Sequence, residues 1–283
     1  MAFLISNLEE LERKKEIFRL GGKEKIHILS DFDRTLTKVF NNGEKITSVV
    51  SILSQEKILS EEYTKKANEY FNKYHPIELD STIQLEEKKK AMMEWWESQF
   101  KNLISSGLNK RHLQEIVNTK KLILRENTEE FIKTLNEVKI PLVIISSGGI
   151  GNIIDMILDD KKLHLDNVSI ITNEFEWDSE GNAIKVKQPY IHVFNKDETA
   201  TSSYPEIYNK IKDRKNIILL GDSFGDLGMA TGFEYNEIIK IGFLNEDIEE
   251  NLEKYKENFD IVITEDGNFE EINKLLREIL DEE

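Results

Sequence analysis

The chain has no cysteine among its 283 residues, which excludes disulfides, thiolate metal sites and a cysteine nucleophile and fits a reducing compartment. It also lacks any apolar run near the ~20 residues that cross a bilayer. Residues 1–16 turn acidic and amphipathic at once, unlike a secretory leader, so a cytoplasmic protein with no membrane partner is expected. Positive charge is scarce as well: 38 Lys and Arg stand against 54 Asp and Glu, a net charge of −16. Such a surface repels phosphate backbones, and no polynucleotide partner is expected. A small anionic substrate would be repelled too, unless a metal, a lysine or backbone N–H groups supply positive charge locally. No internal repeat, low-complexity stretch or sign of an obligate protein partner stands out.

What is present fits a soluble globular protein, 39% hydrophobic and 33% charged. Short runs rich in Ile, Leu and Val recur at Ile26–Leu29, Leu142–Ile145, Val168–Ile171, Ile217–Leu220, Ile238–Ile241 and Ile261–Ile263. Runs so uniformly apolar suit strands covered on both faces, and helical patterns lie between several of them. The expected fold class is therefore α/β, a doubly wound, Rossmann-like parallel sheet. Asn127 is the expected N-cap of a helix to Val138, with Glu130 three residues on and Pro141 beyond its end. From about Val39 to Arg125 the alternation stops, and long charged helical segments such as Glu61–Tyr74 and Leu85–Leu103 replace it. This predicts a helical cap at 39–126 inserted into a core of 1–38 and 127–283. Strand-like flanks around Asp178-Ser-Glu-Gly181 predict a hairpin within Phe175–Val193.

Four features follow expected core strands, where open α/β sheets place their ligands. Asp31-Phe-Asp33-Arg-Thr35-Leu-Thr37 sets two carboxylates at a strand end. One can attack phosphorus to form an aspartyl phosphate, and the other can protonate the leaving oxygen and later deprotonate water. Alone, such a triplet serves equally well as a turn. Ser146-Ser147-Gly148-Gly149-Ile-Gly151 offers a hydroxyl and glycine N–H groups before a helix, able to hold phosphate oxygens or simply to make a tight turn. Lys196, in His192-Val-Phe-Asn-Lys196, could neutralise developing charge, although a lone lysine is ordinarily a solvated surface group. Gly221-Asp222-Ser-Phe-Gly-Asp226 adds two acids beside a sharp turn, hard oxygen donors of the kind Mg²⁺ takes. The four in this order make the pattern of the haloacid-dehalogenase-like phosphohydrolases.

A closer resemblance extends into the insertion. Lys73-Tyr-His-Pro-Ile-Glu-Leu-Asp80, Glu86-Glu-Lys88, Glu94-Trp95-Trp96, Ile191-His-Val-Phe-Asn-Lys196 and Ile217-Ile-Leu-Leu-Gly-Asp222-Ser resemble the cytosolic 5′-nucleotidase III family, the pyrimidine 5′-nucleotidases. That resemblance implies Mg²⁺-dependent hydrolysis of nucleoside 5′-monophosphates, CMP and UMP preferred, with phosphotransfer a possible side activity. It implies Asp31 as nucleophile and Asp33 as acid/base, with Asp31, the Asp33 carbonyl and Asp222 holding the metal. Ser147, Gly148 (where the family often has alanine) and Lys196 would contact phosphate, Glu78 the base, and Asp226 would orient the site. Gln99 and the Trp95-Trp96 pair depart from the family pattern and bear on base preference; an indole could stack on a base, but packing is the commoner role. No pair among the five histidines has metal-ligand spacing, and Lys88-Lys-Lys90 reads as a solvated helix face. The alternatives are a phosphatase for phosphoserine or a sugar phosphate, and a non-catalytic binding module.

Overall fold

The protein is described here from a computed structural model covering residues 3–46, 48–80, 82–197, 201 and 203–281. Each of the six apolar runs lies in a strand: β2 (Ile26–Ser30), β5 (Leu142–Ile150), β6 (Val168–Asn173), β9 (Asn216–Gly221), β10 (Glu237–Leu244) and β11 (Ile261–Thr264). They form one parallel sheet, and β1 (Phe3–Ile5) pairs antiparallel with β11 at its edge, giving the order β1-β11-β10-β9-β2-β5-β6. Alternation along the strands feeds two apolar layers. Ile28, Ile218 and Leu220 join one, while Leu29, Ile217 and Leu219 join the other. Helix α1 (Leu8–Gly21) covers the first through Leu11 and Phe18, and the helix Pro205–Ile211 covers the second through Ile211. The sheet is thus doubly wound. Strand order reverses at β2, where such sheets open a crevice at their carboxyl ends.

The chain between β2 and β5 forms a two-stranded hairpin, β3 (Phe40–Asn41) with β4 (Glu44–Lys45), and then helices α2 (Val49–Gln55), α3 (Glu61–Leu79), α4 (Leu85–Ser105) and α5 (Lys110–Thr119). Its two stems run side by side: Lys38 N–H donates to the Ile123 carbonyl at 2.8 Å, and Arg125 N–H to the Leu36 carbonyl at 2.9 Å. The expected hairpin is present as β7 (Phe175–Trp177) and β8 (Ala183–Val186), and its Asp178 carboxylate accepts from the Glu180 and Asn182 N–H groups. Phe175 packs edge-on against Phe100 of α4, so this hairpin braces the inserted helices.

Three expectations need correction. Asn127 does precede α6 (Thr128–Glu137), but in a left-handed conformation (φ 67°) from which its side chain makes no cap bond. Ser146–Gly149 is not a loop between strand and helix; it continues β5 through a register irregularity between Ile145 and Ile150, and α7 (Ile153–Asp160) begins later. Lys88 is not a solvated helix-face residue. Its ammonium donates to the Glu78 carbonyl at 2.7 Å and lies 5.5 Å from the centre of the Phe194 ring, because α3 and α4 present it to the loop carrying Lys196.

Candidate active site

β2 ends by turning Asp31 and Asp33 into the crevice. Asp31 is buried and pairs directly with the Lys196 ammonium, while Asp33 is half-buried with its Oδ2 enclosed. Lys196 also donates to Asp226 Oδ1 at 2.9 Å, so one cation lies between two acids on different strands' loops. Burial opposes the lysine's charge, but Asp226 and Asp31 together outweigh it and hold the ammonium protonated far above neutrality. Asp226 Oδ2 accepts from the Asp222 N–H, the Ser223 N–H and the Ser223 hydroxyl, at 2.8–3.2 Å. Both of its oxygens are therefore engaged. Gly221 makes this possible: a Cβ there would lie 2.4 Å from the Asp226 Cβ.

Asp31, Asp222 and Asp226 each bring a carboxylate oxygen within 4.8 Å of the others. Three hard donors at that spacing fit a divalent cation. Since Asp226 is occupied by its four donors, Asp31 and Asp222 are the carboxylates open to a metal. Burial raises Asp31, Asp222 and Asp33. Asp31 is pushed up to about 6, with Lys196 opposing the rise; Asp222 to about 7, with Arg34 opposing; and Asp33 to about 8, with the Asp31 charge adding to burial.

On the β5 side, Ser147 and Gly148 are half-buried beside Asp33. A Cβ at Gly148 would fall 2.4 Å from Asp33 Oδ2, so the absence of a side chain leaves the space that the carboxylate fills. Asn173 ties this strand to the lysine loop, its amide donating to the Ser147 and Ile191 carbonyls at 3.0 Å while its oxygen accepts from the Ile191 N–H. Asp31, Asp33, Gly148, Lys196, Asp222 and Asp226 thus lie together, with Ser147 next to Gly148 in β5.

Glu78 lies in the inserted helices, apart from the carboxylate cluster. It sits near the end of α3, three-quarters buried, 3.6 Å from His75 Nδ1, and Lys88 links its backbone to Phe194. Gln99 is buried within the helical insertion, where its amide donates to the Tyr63 hydroxyl at 2.9 Å. Trp96 stacks on Phe100 and Trp95 on Tyr74, so both indoles pack within the protein. None of the five histidines joins the carboxylate cluster.

Sequence reasoning missed several supporting residues, because their contacts join distant segments. Arg34 Nε lies 3.0 Å from Asp222 Oδ2, and its other end reaches Glu246. Arg125, 1% exposed, donates to the Thr35, Arg34 and Gly267 carbonyls and so holds the loop after Asp33 from beneath. The Val49 N–H donates to Asp33 Oδ1 at 3.1 Å.

A parallel sheet with aspartates at the ends of β2 and β9, a lysine between them and a helical insertion after β2 defines a haloacid-dehalogenase-like phosphohydrolase. Solved phosphoserine phosphatase structures share this fold; one with bound substrate has a TM-score of 0.52 at 21% identity, over 88% of this chain and 96% of its own. The model of the pyrimidine 5′-nucleotidase (UMPH-1) family matches residues 34–280, and the chain belongs to that family. It is similar to the 7-methylguanosine phosphate-specific 5′-nucleotidases of Mus musculus (37% identity; 93% of this chain, 87% of that protein) and Homo sapiens (36%; 93% and 87%). A crystal structure of cytosolic 5′-nucleotidase IIIB bound to cytidine superposes with a TM-score of 0.85 at 32% identity, over 99% of this chain and 93% of that one. The chain is an enzyme, a 5′-nucleotidase.

Proposed function

We propose that the protein hydrolyses nucleoside 5′-monophosphates through an aspartyl phosphate on Asp31, with Mg²⁺ as cofactor and CMP and 7-methylguanosine monophosphate both as substrates. The observation that carries the chemistry is the buried Asp31–Lys196–Asp226 chain beside a third acid, Asp33. Residues 39–126 act as the cap. Asp31 attacks phosphorus while Lys196 compensates the charge that builds on the phosphoryl oxygens, and Ser147 and the Gly148 N–H hold two of those oxygens. Asp33, pushed up to about 8, carries a proton at neutral pH and gives it to the leaving 5′-oxygen. It then takes a proton from the water that attacks the phosphoryl group and restores the Asp31 carboxylate. Asp31, Asp222 and the Asp33 carbonyl would hold Mg²⁺, which supplies positive charge between nucleophile and phosphate and orients the in-line attack. Asp226 keeps Lys196 and the Asp222 loop in place.

Glu78 reads the base as a hydrogen-bond acceptor. The exocyclic amino group of cytosine and the ring N1–H and amino group of 7-methylguanine each offer it a donor, so the carboxylate alone does not select a pyrimidine. The CMP and UMP preference that the family resemblance implies extends to 7-methylguanosine monophosphate, in keeping with the names of relatives at 36–37% identity. Glu78→Ala tests this: kcat/KM for CMP should fall about 10- to 100-fold, the value of a lost hydrogen bond to a charged group, while p-nitrophenyl phosphate changes little. Equal losses on both would remove Glu78 from base recognition.

A further inference from the structure

Asp33 has two oxygens in unlike surroundings. Oδ1 accepts from the Val49 backbone N–H at 3.1 Å, whereas Oδ2 is buried with no protein partner. Gly148 lies behind Oδ2 and Ser48 beside it: a Cβ on Gly148 would be 2.4 Å from that oxygen and 3.4 Å from the Ser48 Cβ. An N–H directed at Oδ1 makes it an acceptor, since an amide proton and a carboxyl proton cannot share one lone-pair direction. The carboxyl proton is thereby favoured on Oδ2, the oxygen with no protein partner.

The donor belongs to the first residue of α2, whose N–H has no acceptor within its own helix. Ser48, which caps α2, serves Ser51 instead, accepting from its N–H at 3.2 Å. Helix α2 joins the two parts of the molecule: Val49, Ile52 and Leu53 are buried in the same apolar layer as Ile144 of β5 and Tyr63 of α3. The contact that orients Asp33 is therefore made by the element through which the inserted helices are seated on the sheet.

We propose that the Val49 N–H is the positioning group of the Asp33 acid, so that proton delivery to the leaving group depends on α2 being seated against the core. The inference rests on the reading of Asp33 as the acid/base. In the first step a bond forms between an Asp31 oxygen and phosphorus, the bond from phosphorus to the 5′-oxygen breaks, and the proton on Oδ2 passes to that oxygen. In the second, water oxygen bonds to phosphorus, its proton goes to Oδ2, and the bond to Asp31 breaks. Misplacing Oδ2 harms the first step only where the leaving oxygen needs its proton. A nucleoside alkoxide needs it; p-nitrophenolate leaves unaided.

Val49→Pro isolates the amide. Proline is favoured at the first position of a helix, and Ser48, at φ −165° and ψ 165°, already has the extended backbone that precedes proline. The enzyme with Mg²⁺ is assayed on CMP and on p-nitrophenyl phosphate, as wild type, Val49→Pro, Asp33→Asn and the double variant. General acid catalysis is worth about 10²- to 10⁴-fold. Partial loss of alignment should lower kcat/KM, which reports the first step alone, by about 10- to 100-fold for CMP and by under about threefold for p-nitrophenyl phosphate. Adding Val49→Pro to Asp33→Asn should cost nothing further. Replacing residue 49 by its α-hydroxy acid, which removes only the N–H, should reproduce the pattern if the proline variant fails to fold. Equal losses on both substrates, or an additive loss in the double variant, overturn the role of Val49. If Asp33→Asn itself shows no difference between substrates, the acid assignment falls, and this inference with it.

Discussion

Lys196 stands between two buried carboxylates, and its removal would leave Asp31 and Asp226 facing each other without a cation. Loss of one partner from a buried ion pair costs about 3–5 kcal/mol. Lys196→Met should therefore lower stability by that amount in urea unfolding with EDTA present, and Mg²⁺ should restore part of the loss. An unchanged midpoint would mean that the pairing contributes no stability. Asp31→Asn should lower kcat by about a thousandfold or more, the scale of removing a nucleophile; p-nitrophenyl phosphate turnover close to wild type would remove Asp31 from that role. The acids and the lysine were legible in the sequence because each follows a strand, and strand ends in this topology converge. Arg34, Arg125, Asn173 and Val49 were not legible. Their contributions are contacts to backbone or to another loop across many residues of chain, and nothing in their local pattern announces them.

At the scale of elements, uniform Ile, Leu and Val runs identified the six parallel strands because burial on both faces leaves no polar alternation. β1 escaped notice: three residues carry no periodicity, and it exists only because the β11 edge offers Phe3–Ile5 a partner. The Asn127 cap failed for a related reason. Arg125 and the chain returning from the insertion fix the approach to α6, and the left-handed turn they impose points the side chain away from the helix N–H groups. The aromatic junction between α4 and the β7–β8 hairpin gives a test at this scale. Phe100 is 2% exposed and contacts Trp96, Phe175 and Tyr190, so Phe100→Ala should cost about 3–5 kcal/mol by loss of packing. Calorimetry showing an unchanged Tm would mean that the hairpin does not brace the inserted helices.

Across the whole molecule, −16 net charge coexists with a site that gathers carboxylates, so the cations Lys196 and Arg34 matter more than their number suggests. Two histidines outside the site set a pH limit on stability. Burial pushes His27 and His192 down to about 4, from an ordinary value near 6.5. Between those values the unfolded chain binds protons that the folded one does not, so stability is full above about pH 6.5 and falls as pH drops toward 4. Each contributes at most about 3 kcal/mol over that window. His27→Gln should flatten the acid limb of a stability–pH curve; an identical slope would show that His27 does not titrate there. The doubly wound topology was legible from the spacing of strands and helices, whereas the seating of the insertion on the core depends on Lys88, Phe100 and Val49, whose partners only the fold reveals.

The central claim is that this chain is a metal-dependent nucleotidase working through Asp31. Phosphate release should be measured from CMP, UMP, 7-methylguanosine monophosphate, a sugar phosphate and phosphoserine, with Mg²⁺ and with EDTA. The expected result is turnover that EDTA abolishes, concentrated on the nucleotides and highest for CMP and 7-methylguanosine monophosphate. Turnover that persists in EDTA, or that is as fast on phosphoserine and the sugar phosphate as on any nucleotide, would contradict it.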